Sequence, residues 1–126
     1  MPFRDNATHF RDILEAIGHI DDFLKGIDFE AYKDDAKTKS AVERQMQIVT
    51  EAAYRLDAAG EQMAPGIDWE GFRGMGNLLR HAYHRIDDKI VWDTIKDELP
   101  VTREAVTKAL RPPDQAASPP AEPEPS

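Results

Sequence analysis

The stretch HFRDILEAIGHIDDFLKGI, residues 9–27, decides the fold. Phe10, Ile13, Leu14, Ile17, Ile20, Leu24 and Ile27 recur at steps of three and four, which is one buried stripe on an amphipathic helix. Asp5 or Asn6 is the expected cap at its start, and Gly26 marks its end. Working outward, SAVERQMQIVTEAAYRLDAAG (40–60) repeats the pattern with Val42, Met46, Val49, Ala53 and Leu56. Ser40 and Glu43 stand in the S-x-x-E spacing of a capping box, and Gly60 is the expected stop. A third helix is expected from Trp69, capped by Asp68, with Phe72, Met75, Leu79, Ala82 and Ile86 on its apolar side. Gly71, Gly74 and Gly76 weaken it by roughly 1 kcal/mol each, unless they let another helix approach closely. A fourth, DDKIVWDTIKDEL (87–99), is expected to stop at Pro100, with Thr102 capping a short fifth, REAVTKAL (103–110).

Between these segments, DFEAYKDDAKTK (28–39) reads as a polar connector with one helical turn, anchored by Phe29 and Tyr32. EQMAPGI (61–67) reads as a loop turning at Pro65-Gly66. Trp69 and Trp92 are placed to close the ends of one core. No strand alternation and no repeat is present, so the expected architecture is an all-α up-and-down bundle of four to five helices over residues 1–110. Residues 111–126 contain six of the nine prolines, which predicts a disordered Pro-rich tail.

Composition narrows the function classes. The chain has 126 residues, enough for one core. It contains no cysteine, which excludes disulfides and thiolate chemistry. No apolar run approaches a membrane span and no signal-peptide pattern opens the chain, so a cytoplasmic location is expected. The net charge of −8 argues against broad non-specific binding of nucleic acid, so any anion site must be local or shared with a second chain.

One stretch departs from that acidic background. GMGNLLRHAYHRID (74–87) holds Arg80, His81, Tyr83, His84 and Arg85 within six positions, and no acid occurs from Gly71 to Ile86. On a helical wheel of about 100° per residue, Arg73, Asn77, Arg80 and His84 share one polar arc, provided the helix is unbroken from Trp69 to Arg85. His81 lies at the edge of that arc, and Tyr83 near the apolar one. A histidine titrating near neutral pH, arginines for phosphate charge and an amide are the parts for metal-free RNA cleavage. A solvated helix face explains the same residues equally well from spacing alone. His81 and His84 also have the His-x-x-His spacing of metal ligands, but no carboxylate partner lies nearby and the Glu-x-x-His signature of di-iron bundles is absent. Gly74-Met75-Gly76 follows no strand and is not a phosphate loop. No metal and no cofactor is expected.

The segments AVERQMQIVTEAAYRL, IDWEGFRGMGNLLRHAYHRID and DKIVWDTIKDELP, in that order and spacing, resemble the HepT-like proteins of the HEPN superfamily, the toxin halves of MNT/HepT (type VII) toxin–antitoxin pairs. With the first helix, the resemblance covers nearly all of Arg4 to Leu110. The family motif is an arginine usually followed by asparagine, then His-x-Tyr after a short gap; Asn77, His81 and Tyr83 match it. The resemblance implies an endoribonuclease in which His81 is catalytic and works without metal. It further implies a homodimer that brings two motif helices together, and an MNT-like nucleotidyltransferase antitoxin that AMPylates Tyr83. Gly76 stands where the family usually has arginine, and Arg73 and Arg80 lie one helical turn to either side. The candidate catalytic set is therefore His81, Arg73, Asn77 and Arg80, with Arg73, Arg80, His84 and Arg85 contacting RNA phosphates. The alternative is a catalytically degenerate HEPN subunit that presents substrate to the nucleotidyltransferase.

Overall fold

A computed structural model describes the backbone of residues 2–82 and 86–111, with side chains from Asp5 onward. The elements are α1 (Pro2–Phe23), α2 (Phe29–Lys33), α3 (Ala36–Arg55), α4 (Ala58–Met63), α5 (Trp69–His81), α6 (Asp88–Asp93) and α7 (Leu99–Ala109), with a π-helical turn at Thr94–Glu98 between the last two. Because the residues flanking the π turn keep right-handed helical backbone, 88–109 is one continuous helix. The result is a bundle of four long helices and two short ones. Its strip of core is the one the sequence marks: Phe10, Ile13, Ile17 and Ile20 of α1 are buried against Val42, Met46 and Val49 of α3. Trp69 packs on Phe10 and Phe72 at one end, and Trp92 on Phe29 and Tyr32 at the other.

Several expected boundaries move, each for a local reason. Helix α1 begins at Pro2, and Asn6 is buried within it instead of capping it. Its Nδ2 donates to Asp57 Oδ1 at 2.9 Å, a bond formed only when α4 folds back on α1. Helix α3 starts four residues before Ser40, since Asp35 accepts from both the N–H and the Oγ1 of Thr38. The Ser40/Glu43 capping box is therefore not used. Gly60 does not stop α3; that helix ends at Arg55, and Gly60 is buried in α4, where an added Cβ would meet Asn6 Oδ1 at 2.6 Å. Gly26 and Gly66 have φ of +74° and +86°, the left-handed turns that end α1 and follow Pro65. Pro100 does not end the fourth helix. Proline lacks an N–H and crowds the carbonyl four residues back, and the π turn absorbs both defects because Leu99 N–H reaches Thr94 O one residue further than in an α-helix. Thr102 sits inside this helix, buried, and donates to Glu98 O at 2.8 Å. The expected Pro-rich tail falls outside the described residues from 112 onward.

The Asn6–Asp57 pair also sets an acid limit. The Asp57 carboxyl is held below the ordinary carboxylate range, first by Asn6 and then by the Gly60 N–H. Its unfolded form binds a proton more readily, so its contribution to stability is present above about pH 4 and lost as pH falls through the folded value. Thermal melts of Asp57→Ala and the wild type are expected to differ near neutrality and to draw together as pH falls below the ordinary carboxylate range. A constant gap between the two curves would contradict this.

Candidate functional site

The site is built on the pairing of α5 with α3. Three contacts set an antiparallel register in steps of three. Arg73 Nη1 donates to Ala53 O at 3.2 Å, an added Cβ on Gly76 would lie 2.7 Å from Thr50 Cβ and Oγ1, and Gln47 Nε2 donates to Leu79 O at 3.5 Å. Thr50 is 1% exposed and its hydroxyl is tied to Gln47 O at 3.1 Å. Position 76 is thus where the two helices come closest, and glycine is what that approach requires. Asp68 caps α5, accepting from Gly71 N at 2.9 Å, as its place before Trp69 predicts.

The expected apolar arc of α5 is displaced. Trp69, Phe72, Gly76 and Leu79 are buried, whereas Met75 is only partly buried and Ala82 is the cap that ends the helix. Because α5 stops at His81, the unbroken arc from Arg73 to His84 does not exist as a single helical face. Tyr83, His84 and Arg85 lie outside the described residues. The described residues on either side have defined partners. Ala82 N–H bonds Leu78 O at 2.8 Å, and past the segment Asp87 caps α6 through Lys89 N while Asp88 pairs with Lys39 at 3.0 Å.

The four described candidates divide into two groups. Arg73 is engaged: it pairs with Glu61 at 2.8 Å and Glu70 at 3.3 Å in addition to the Ala53 carbonyl. Partial burial works against its charge, and the bonds to Glu61 and Glu70 more than offset that. Asn77, Arg80 and His81 are exposed on the last turns of α5. Among the described residues, no carboxylate pairs with Arg80 or His81, and Arg80 Nη1 lies 3.4 Å from where a Gly76 Cβ would be. The guanidinium of Arg80 therefore lies beside position 76. The backbone end of α5 is the negative end of the helix dipole, so an anion at this place must be drawn by side chains.

A second polar group lies near the start of α6. Tyr32 is fully buried, and its hydroxyl has no hydrogen-bond partner among the described residues. Burial pushes its pKa well up, with the charges of Glu43 and Asp88 adding to the shift. Burial likewise raises Glu43, reinforced by Asp88 and opposed by Lys39. Among the described residues no three His, Asp or Glu side chains are grouped as a metal site would be. No described helix is long and apolar enough to cross a membrane.

On its other side, α5 faces helix 88–109 across an open groove of about 310 Å³, lined mostly by apolar groups including Phe72, Met75, Leu78 and Ile90. Leu78 and Ile90 are half exposed, at 50% and 56%. The residues that sequence reading missed are on α3. Arg44, Gln47 and Thr50 have ordinary helical spacing, and only the register against α5 reveals their place.

Comparisons with known proteins agree with this architecture. The family profile described as Ribonuclease HepT-like matches residues 13–109. A protein of Thermococcus cleftensis, named as a probable ribonuclease HepT, is 34% identical over 97 residues, covering 77% of this chain and 88% of the relative. Two proteins of Methanocaldococcus jannaschii, both named as candidate RNases, are 30% and 28% identical, over 88% and 84% of this chain and 92% and 97% of theirs. No solved structure matches the chain. The profile runs from mid-α1 to the end of α7 and includes every described candidate residue, and the chain belongs to the HepT-like ribonuclease family.

Proposed function

We propose that this protein is a metal-independent endoribonuclease toxin whose activity is centred on His81. The observation that carries the reading is the exposure of Asn77, Arg80 and His81 together at the end of α5, with Arg80 and His81 free of carboxylate partners among the described residues. Family membership supplies the substrate class, RNA. In the proposed reaction an imidazole takes the proton of a ribose 2′-hydroxyl. That oxygen bonds to the adjacent phosphorus, the bond to the 5′-oxygen breaks, and a second, protonated imidazole gives its proton to the leaving oxygen. A cyclic phosphate end remains. Arg80 and Asn77 hold the phosphate oxygens as negative charge builds on them, and His84 and Arg85 extend the contact.

In this reading the acid and the base are the His81 imidazoles of two copies of the chain across a two-fold axis. The half-exposed Leu78 and Ile90 beside the groove at α5 supply apolar surface for such a homodimer. Two copies also bring two Arg80 and two Arg85 side chains into one groove, countering the overall charge of −8. In this reading an MNT-like nucleotidyltransferase is the antitoxin, and it silences the site by transferring AMP to the Tyr83 hydroxyl. The toxin acts in the cytoplasm, where RNA is its target. The second reading, a degenerate subunit that presents substrate to the nucleotidyltransferase, is favoured by the absence of a side chain at Gly76 and by the engagement of Arg73.

The two arginines separate in experiment. Arg73→Ala is expected to lower the melting temperature, because it frees Glu61 and uncaps the end of α3. Arg80→Ala is expected to leave stability within about 0.5 kcal/mol, as exposed substitutions do, while cutting RNA cleavage roughly a hundredfold or more. Purified variants, melted and assayed on a labelled oligoribonucleotide, check both. Cleavage that survives Arg80→Ala would remove Arg80 from the site. Mass spectrometry after incubation with the nucleotidyltransferase and ATP tests the antitoxin: one added AMP is expected on the wild type and none on Tyr83→Phe.

A further inference from the structure

We propose that Gln47, held by Arg44, is a positioning residue that clamps the last turn of α5 and so aims His81; the inference rests on the ribonuclease reading. Helix α5 ends at His81, so its hydrogen-bond ladder runs out in the turn that carries Arg80 and His81. A side chain at the tip of a helix is only as well aimed as the turn that bears it. Here the support comes from α3. Gln47 is half-buried between the helices, and its Nε2 donates to Leu79 O at 3.5 Å. Its Oε1 in turn accepts from Arg44 Nη1 at 3.3 Å, which fixes which face of the amide is turned toward α5. The chain of bonds runs Arg44, Gln47, Leu79, and Leu79 is two residues from His81.

The opposite end of the same interface is built in mirror fashion. Arg73 of α5 donates to Ala53 O in the last turn of α3, so each helix has its final turn held by a side chain of the other. Only the α5 end carries the candidate site, and only there is the donor an uncharged amide held by an exposed arginine. In the three-residue register, Arg44 is the next step after Gln47. Arg44 is exposed, and its Nη1 donates to the Gln47 amide oxygen.

The test combines hydrogen exchange with cleavage kinetics on the full chain. Gln47→Ala is expected to speed amide exchange in the peptide covering residues 77–82 and to lower kcat five- to tenfold, the worth of about one hydrogen bond, with KM little changed. Arg44→Ala is expected to do the same more weakly. Arg44→Lys, which keeps a donor for the Gln47 oxygen, is expected to restore most of the loss. Unchanged exchange in Gln47→Ala overturns the clamp whatever RNA does. Faster exchange with unchanged kcat overturns its role in aiming His81. If the wild type cleaves no RNA while Gln47→Ala exchanges faster, the ribonuclease reading fails and the clamp itself is upheld. If Gln47→Ala fails to fold, the Arg44→Ala and Arg44→Lys pair decides by the same readouts.

Discussion

Replacing His81 with alanine is expected to abolish RNA cleavage, by a factor of roughly 10²–10⁴ for the loss of a positioned acid–base group. The fold should be indifferent. His81 is exposed at the end of α5 and has no ion pair among the described residues, so its removal is expected to fall within about 0.5 kcal/mol of neutral. The measurement is cleavage of a labelled oligoribonucleotide by wild type and His81→Ala, each first shown by melting to be equally folded. Growth arrest on expressing each chain alone gives a parallel readout. A wild type that cleaves and a variant that does not establish the site despite Gly76. Equal cleavage by both would place the chemistry elsewhere. Silence from both would favour the degenerate subunit, and Tyr83 would become the residue of interest.

The second large effect is on stability and reverses sign across two residues. Gly74→Ala adds a Cβ that meets nothing within 4 Å, so it is expected to stabilise by up to about 1 kcal/mol through helix propensity alone. Gly76→Ala gains the same propensity but drives its Cβ to 2.7 Å from Thr50 Cβ. The Thr50 Cβ is fixed to the α3 backbone and cannot rotate away, so the helices must separate. Overpacking of this kind costs roughly 1–3 kcal/mol, and with both sides rigid the upper part of that range applies. A net loss of 1 kcal/mol lowers the melting temperature by roughly 4–8 °C in a domain of this size. Gly76→Arg should be worse still. Restoring the family's usual arginine is therefore expected to break the α3–α5 packing before it can assist catalysis. Melting curves for the two alanine variants settle the matter: a Gly76→Ala protein as stable as Gly74→Ala would mean that the close approach is not binding.

The same geometry explains why Gly76 and Arg80 belong together. A side chain at 76 would clash with Thr50 and come into contact with the Arg80 guanidinium 3.4 Å away. Glycine allows the helices to touch, and the Arg80 guanidinium lies beside the same position. Arg73, the other candidate for that charge, is spent on holding α3, α4 and α5 together.

What the sequence determined by itself was periodic. The stripe from Phe10 to Ile27 and the stripe from Val42 to Leu56 place the core correctly, because a helix buries whatever its 3.6-residue repeat brings to one side. The turn at Pro65-Gly66, the Asp68 cap and the capping of the core by Trp69 and Trp92 were legible for equally local reasons. The acid-free run from Gly71 to Ile86 singles out the candidate region for an equally local reason. Tertiary structure decided what depends on a partner far along the chain. Asn6 looked like a cap until Asp57, 51 residues away, took its amide. Gly60 looked like a stop and Pro100 like a break, because neither the packing of Asn6 nor a π turn is written in neighbouring residues. The arc from Arg73 to His84 assumed one straight helix, and α5 ends at His81. Arg73 and Arg80 are one residue type at equivalent turns, and only the placement of Glu61 and Ala53 turns the first into a brace and leaves the second exposed. A helical period fixes which side of a helix is buried; it carries no information about which residue of another helix stands opposite, and that decided which candidate residues are engaged and which are exposed.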